Sequence, residues 1–141
     1  MDSPSGNLDS VKTFFDALEK HDVSLLTPLL ADDIVETIPL SNTGASEPFA
    51  AYESKEAVLG YLGTIVQNFS RTVLIDKEFT VSEDGDKVFV EGKGNLIQAG
   101  TEASYENRYV FKFVFRNGLI THIREYANPI TFAKLVGMPV G

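Results

Sequence analysis

The chain has 141 residues, 43% of them hydrophobic and 23% charged, which is enough for one core, so a single domain over residues 1–141 is expected rather than a disordered or low-complexity scaffold. The absence of cysteine excludes disulfides, thiolate metal sites and thiol nucleophiles, and two histidines, His21 and His122, are too few for a histidine-rich metal site, so neither metal nor cofactor is expected. The formal charge of −8 is uneven: residues 1–60 carry three Lys/Arg against eleven Asp/Glu and residues 61–141 nine of each, which leaves no basic surface for nucleic acid or an anionic membrane.

From about Asn7 to His21, residues Leu8, Val11, Phe14, Phe15 and Leu18 fall on one stripe with acids and lysines opposite, the spacing of an amphipathic helix. Leu25, Leu26, Leu29 and Leu30 repeat the pattern around Pro28, with Thr27 as cap, and predict a short second helix. Ile34 to Ile38 reads as a strand stopped by Pro39, and residues 39–53, which include SNTGASEP, as a loop. Ser54 caps a third helix in which Val58, Leu59, Leu62, Ile65, Val66 and Phe69 recur at three- and four-residue spacing. From Arg71 the period changes to two. RTVLIDKEFTV, KVFVEGKGNLI after the turn EDGD, YENRYVFKFVF, and LITHIREY after Arg116-Asn117-Gly118 predict four consecutive strands. Pro129 then opens a short C-terminal helix that ends at Gly137.

This order predicts an α+β fold, a cone-shaped α+β barrel in which three N-terminal helices pack on a curved antiparallel sheet and enclose an apolar pocket. No apolar run approaches the ~20 residues that span a bilayer, and MDSPSGNLDS lacks the basic-then-apolar order of a secretory signal, so a cytoplasmic location is expected.

The element order and the tail YENRYVFKFVFRNGLITHIREYANP resemble the nuclear transport factor 2-like superfamily, and within it the SnoaL-like polyketide cyclase group, over nearly the whole chain. The likeness is nearest to the phenazine-biosynthesis A/B proteins. Their tyrosine-glutamate-asparagine strand, glycine turn and arginine-glutamate-aromatic-x-asparagine end are matched by Tyr105-Glu106-Asn107, Gly118 and Arg124-Glu125-Tyr126-Ala127-Asn128. The resemblance implies a catalytic acid on the final strand, as in the phenazine proteins and the limonene epoxide hydrolases. It also implies a pocket position for Tyr61, where the phenazine proteins carry a substrate-contacting histidine, and a homodimer. It speaks to fold more than to reaction, because the superfamily hosts isomerases, cyclases, dehydratases, epoxide hydrolases and non-enzymes.

In YENRYVFKFVF the odd positions Tyr105, Asn107, Tyr109, Phe111, Phe113 and Phe115 share the aromatic face, which is the pocket face. Which face Glu125 takes depends on the turn. A two-residue Asn-Gly turn pairs Arg116 with Leu119 and sends Glu125 to the charged face. A three-residue turn with Gly118 left-handed pairs Phe115 with Leu119 and sets Glu125 opposite Tyr109. The longer turn is preferred because it brings Leu119, Thr121 and Ile123 to the apolar side, with Ile120 outward. Glu125 is then a carboxyl in an aromatic pocket, where burial raises its pKa and suits proton transfer; the alternative is a pairing with Arg124 or Arg108. Asn107 and Tyr109 would join it as neutral donors to a substrate carbonyl or to the carboxyl itself. Tyr61, Tyr105, Phe111, Ile123, Phe14 and Ile65 are expected to bind substrate. Glu91 and Lys93, alternating with Gly92 and Gly94, read as a solvated ion pair, and His21 and His122 as structural.

DALEKHD and ADDIVETIP align with ketosteroid isomerases, whose phenolic tyrosine, general-base aspartate and oxyanion-hole acid would fall at Phe14, Ile38 and Phe111, none of which moves a proton. The helix serine of the phenazine proteins would fall near Ile65, and Lys87 to Ile97 holds no arginine-x-aspartate pair like that of the limonene epoxide hydrolases. One acid in an aromatic cavity suits a substrate that is already reactive. The expected function is a cofactor-independent cyclase or isomerase of secondary metabolism acting on a small apolar or aromatic metabolite. The alternatives are an epoxide hydrolase or epoxide-opening cyclase, and a non-catalytic ligand-binding or dimerisation module.

Overall fold

The computed structural model describes residues 4–140. Helix α1 (Pro4–Glu19) turns Val11, Phe14 and Phe15 inward, where all three are buried. The rings of Phe14 and Phe15 meet those of Phe113 and Phe111 edge-on, at centroid separations of 5.1 and 5.2 Å. Each such pair contributes about 0.5–1.5 kcal/mol beyond the area it buries. The predicted second helix is instead two three-residue 3-10 turns, Val23–Leu25 and Thr27–Leu29. Asp22 caps the first by accepting from the Ser24 N–H, Pro28 lies in the second, and Leu30 is already extended, so of the four leucines only Leu26 and Leu30 are buried, the latter as part of a strand, while Leu25 is exposed.

Strand β1 (Leu30–Ile38) runs up to Pro39. Within the stretch predicted as loop, β2 (Ala50–Tyr52) adds a three-residue strand antiparallel to β1. Helix α2 (Lys55–Asn68) begins where the Ser54 hydroxyl accepts from the Ala57 N–H at 3.0 Å. The meander follows as β3 (Phe69–Val81), β4 (Lys87–Gln98), β6 (Arg108–Arg116) and β7 (Leu119–Ala127), with β5 (Ser104–Tyr105) a two-residue strand on β4. Helix α3 (Pro129–Val136) is capped by the Asn128 side chain and closed by Gly137 in the left-handed conformation.

The strand order is β2-β1-β7-β6-β4-β3, curled into a half-barrel, with α1 packed on β3 and β4 and α2 on β1 and β3. The α+β cone expected from the sequence is therefore present, but its sheet is mixed: β1 lies parallel to β7, with Val35 beside His122 and Glu36 beside Ile123. Turn signals report only on strands adjacent in sequence, and this pairing joins the first strand to the last. Part of the curl comes from a bulge in β3 at Asp76, whose φ is 55°.

The β6–β7 hairpin decides the site. Asn117 and Gly118, with φ of 53° and 77°, form a two-residue turn that pairs Arg116 with Leu119, rather than the three-residue turn preferred from the sequence. Alone, that turn would send Glu125 to the outer face. A bulge reverses the parity. Phe115 faces Ile120 while Val114 faces His122, so Thr121 is an extra residue in β7, and its hydroxyl donates to the Val114 carbonyl at 3.2 Å. Glu125 consequently lies opposite Phe111, not Tyr109, and Ile120 is buried where Leu119 is exposed, the reverse of the expected facing.

Candidate functional site

The inward side of the curled sheet, with α2 and α3, encloses a cavity of about 260 Å³ walled by Tyr52, Tyr61, Phe69, Tyr105, Tyr109 and Phe132, with aliphatic side chains between them and Glu125 at its inner end. A chamber of about 70 Å³ continues behind Glu125 between Phe14, Leu74 and Phe111 and reaches Glu36. No lysine, arginine or histidine among the described residues lines either space.

Three elements converge on Glu125. Tyr61 on α2 donates its hydroxyl to Oε1 of Glu125 at 3.0 Å. Tyr52 on β2 stacks on the Tyr61 ring, with centroids 4.5 Å apart and an interplanar angle of 17°. From β1 comes Glu36, which is 1% exposed, shares a hydrogen bond with Glu125 and leaves its Oε1 without a partner. Burial pushes Glu125 up to about 7, against the opposing effect of the bonds it receives from Tyr61 and Glu36. Burial, then the charge of Glu125 and the bond to it, raise Glu36 well above the ordinary 4.5. Burial followed by the charges of Glu125 and Glu36 also raises Tyr61, which keeps its proton and remains a donor. Two carboxyl groups can share a hydrogen bond only if one of them is protonated.

Across the cavity, Asn107 Nδ2 donates to the Tyr105 oxygen at 2.7 Å, and the Tyr109 hydroxyl lies near the same oxygen. Gly94 gives the Tyr109 ring its place: a Cβ on that residue would lie 2.7 Å from Cε2 of the tyrosine. The Asn107 amide has further duties. Its Nδ2 also donates to the Asn128 carbonyl at 3.0 Å, and its Oδ1 accepts from the backbone N–H of Arg108 at 2.8 Å and of Asn128 at 3.0 Å.

Of the residues expected from the sequence, Glu125, Tyr109, Tyr61, Tyr105 and Ile65 line the main cavity. Phe111 and Phe14 border only the inner chamber, from the core side. Ile123 lines neither space, since its position opposite Phe113 sinks it wholly into the core. Asn107 also lines neither, because its amide fastens β6 to the start of α3 instead of facing the cavity. Glu91 and Lys93 are exposed, with Lys93 3.7 Å from Asp76. His122 bonds through Nε2 to the Thr37 hydroxyl at 3.1 Å. Glu36 is the site residue that the sequence reading passes over. Its signal is the alternation Ile34, Glu36, Ile38, which puts an acid on the apolar face of a strand. Among the described residues no group of three or more His, Asp or Glu is arranged to hold a metal, and no helix is long and apolar enough to cross a membrane.

Residues 11–123 match the family model described as a SnoaL-like domain. No curated protein matches the chain in sequence. Among solved structures, a Bacillus subtilis protein provisionally assigned as an isomerase superposes with a TM-score of 0.82 at 19% identity, covering 99% of both chains. A Xanthomonas campestris pv. campestris protein provisionally assigned as a polyketide cyclase gives 0.76 at 18% identity, over 96% of this chain and 98% of its own. A phenazine biosynthesis-related protein of Pseudomonas aeruginosa gives 0.75 at 19% identity, over 98% of this chain and 89% of its own. At these identities the likeness concerns the fold.

Proposed function

Because the chain belongs to the SnoaL-like family, we propose that it is a cofactor-independent acid/base catalyst, a cyclase or isomerase acting on a small aromatic or apolar metabolite, with Glu125 moving the proton. The observation that carries this reading is the position of Glu125: buried in an aromatic cavity, held by Tyr61, and with no cation beside it among the described residues. A carboxyl titrating near 7 gives and takes a proton with nearly equal ease at neutral pH, which is the condition for efficient general acid/base catalysis. Glu125 would remove a proton from carbon or oxygen of the bound metabolite and return it at another atom, so the enzyme ends as it began.

The oxygen of Tyr105 receives a hydrogen bond from Asn107 and has the Tyr109 hydroxyl near it, which leaves its own O–H for a carbonyl oxygen in the cavity, a neutral donor for developing negative charge. In this reading Tyr109 and Asn107 act through Tyr105. A dry cavity of about 150 Å³ accommodates one benzene ring. The present one, about 260 Å³, has room for two fused rings. The lack of a cation in its walls disfavours anionic substrates. For the assembly we infer a homodimer, supported by half-buried Val110 and Val114 between charged residues on the outer face of β6; sedimentation velocity reads it.

The test uses 1-tetralone, an uncharged two-ring ketone, as a probe. Wild-type protein is expected to accelerate exchange of its α-protons in deuterated buffer, followed by proton NMR. Glu125→Gln should lower that acceleration by about 10²–10⁴-fold while the dissociation constant changes less than about twofold. Undiminished exchange in Glu125→Gln removes the carboxyl from the mechanism. Binding without exchange by the wild type returns the cavity to a ligand-binding role.

A further inference from the structure

Proton transfer by Glu125 requires one carboxyl, yet the site buries two. Glu36 is not a leftover surface charge: β1 is held parallel to β7, with Glu36 beside Ile123, and the side chain lines the inner chamber together with Glu125. Two ionised carboxylates in contact within an apolar space repel strongly, so at neutral pH the pair holds at least one proton. Which residue keeps it follows from the hydrogen bonds. Glu125 accepts from the Tyr61 hydroxyl, a bond that favours its charged form, whereas Oε1 of Glu36 has no donor among the described residues. A carboxylate with an orphaned oxygen is costly to bury, and a protonated carboxylic acid much less so.

We propose that Glu36 is a positioning residue of this site: a protonated carboxyl that donates to Glu125, orients it towards the cavity with Tyr61, and leaves the pair to work as one base carrying a single shared proton. Glu36 does not touch the metabolite, since Glu125 stands between it and the main cavity. The groups facing the pair are uncharged: Tyr52 on β2, Tyr61 on α2 and Tyr109 on β6 keep their protons, and α1 and β3 contribute Phe14, Phe15 and Leu74. No neighbouring cation competes for either carboxyl among the described residues.

For catalysis the proposal rests on the base role of Glu125, but its test is read in the resting protein. Glutamate labelled with ¹³C at the carboxyl carbon is titrated by NMR in the full chain. In the wild type the Glu125 carboxyl is expected to ionise first, with Glu36 still protonated past that midpoint. Glu36→Met, which has no donor, should raise the Glu125 midpoint by about one pH unit, a tenfold gain in proton affinity. Glu36→Gln, which keeps an N–H donor of the same shape, should hold the midpoint within about half of that shift. A fall of the Glu125 midpoint in Glu36→Gln overturns the proposal, because only loss of a neighbouring negative charge produces that sign. Ionisation of Glu36 before Glu125 in the wild type overturns it equally, without relying on a variant that folds. A normal titration order with no tetralone exchange would remove the acid/base reading and leave the proton pair standing; a reversed order with intact exchange would do the opposite.

Discussion

Glu125 owes its chemistry to the balance between dry surroundings, which favour its neutral form, and the donors that reach it. Tyr61→Phe tests that balance, since it keeps the ring stacked on Tyr52 and removes only the hydroxyl bonded at 3.0 Å. Losing a donor to the charged form should raise the Glu125 midpoint above about 7. The acidic limb of the tetralone exchange profile should move up by about one pH unit, checked by initial rates across the pH range. Both partners were legible in the sequence. Glu125 lies in the polar remainder of an otherwise aromatic-facing region, and Tyr61 sits at helical spacing from Val58 and Ile65. Glu36 was equally visible as an acid between two isoleucines of a strand, but a period-two reading that stops at naming the strand does not ask which face the acid takes. Asn107 shows the opposite difficulty: its alternation with Tyr105 and Tyr109 points to the pocket face, yet nothing in a sequence says that its amide is already committed to Asn128 and Arg108.

Between elements the controlling variable is which face of a strand a residue reaches, and small residues set it. A Cβ at Gly94 would collide with the Tyr109 ring at 2.7 Å. Gly94→Ala should therefore displace that ring into the cavity, weaken tetralone binding measured by calorimetry, and cost about 1–3 kcal/mol in denaturant unfolding, the usual penalty of overpacking. Gly60, exposed on α2 with nothing within 4 Å of an added Cβ, supplies the contrast. Gly60→Ala should stabilise the protein by about 0.5–1 kcal/mol and leave binding unchanged. Strand existence was readable because hydrophobic alternation is a direct print of the pleat. Facing was not, because it depends on counting. Relative to the three-residue turn preferred from the sequence, the two-residue turn and the extra Thr121 each reverse the parity of β7, so the two changes cancel and Glu125 still comes out on the inner face. A bulged threonine is invisible to a pattern in which polar and apolar residues alternate anyway.

At the scale of the molecule the buried acids make folding sensitive to pH. The folded form holds the Glu125 proton up to about 7, while the unfolded chain releases it at the ordinary 4.5. Because the folded state binds more protons across that window, stability should fall as pH rises from about 4.5 to about 7 and level off above it, with Glu36 extending the decline upward. Melting temperatures at fixed ionic strength test this, and Glu125→Gln should flatten much of the slope. The helix-then-meander order made the cone recognisable from sequence, whereas the parallel docking of β1 on β7 was not, since no local signal spans the distance between them. That docking also orders events in time. Residues 30–37 must wait for residues 120–124, and contacts so distant along a chain close late. During synthesis β1 leaves the ribosome long before β7 exists, so its edge stands open and Glu36 is still an ordinary hydrated acid. When the last strand slides in, the edge is covered and the two carboxyls are stripped of water together; closing the sheet and assembling the site are a single event, and a chain that stalls before it has neither.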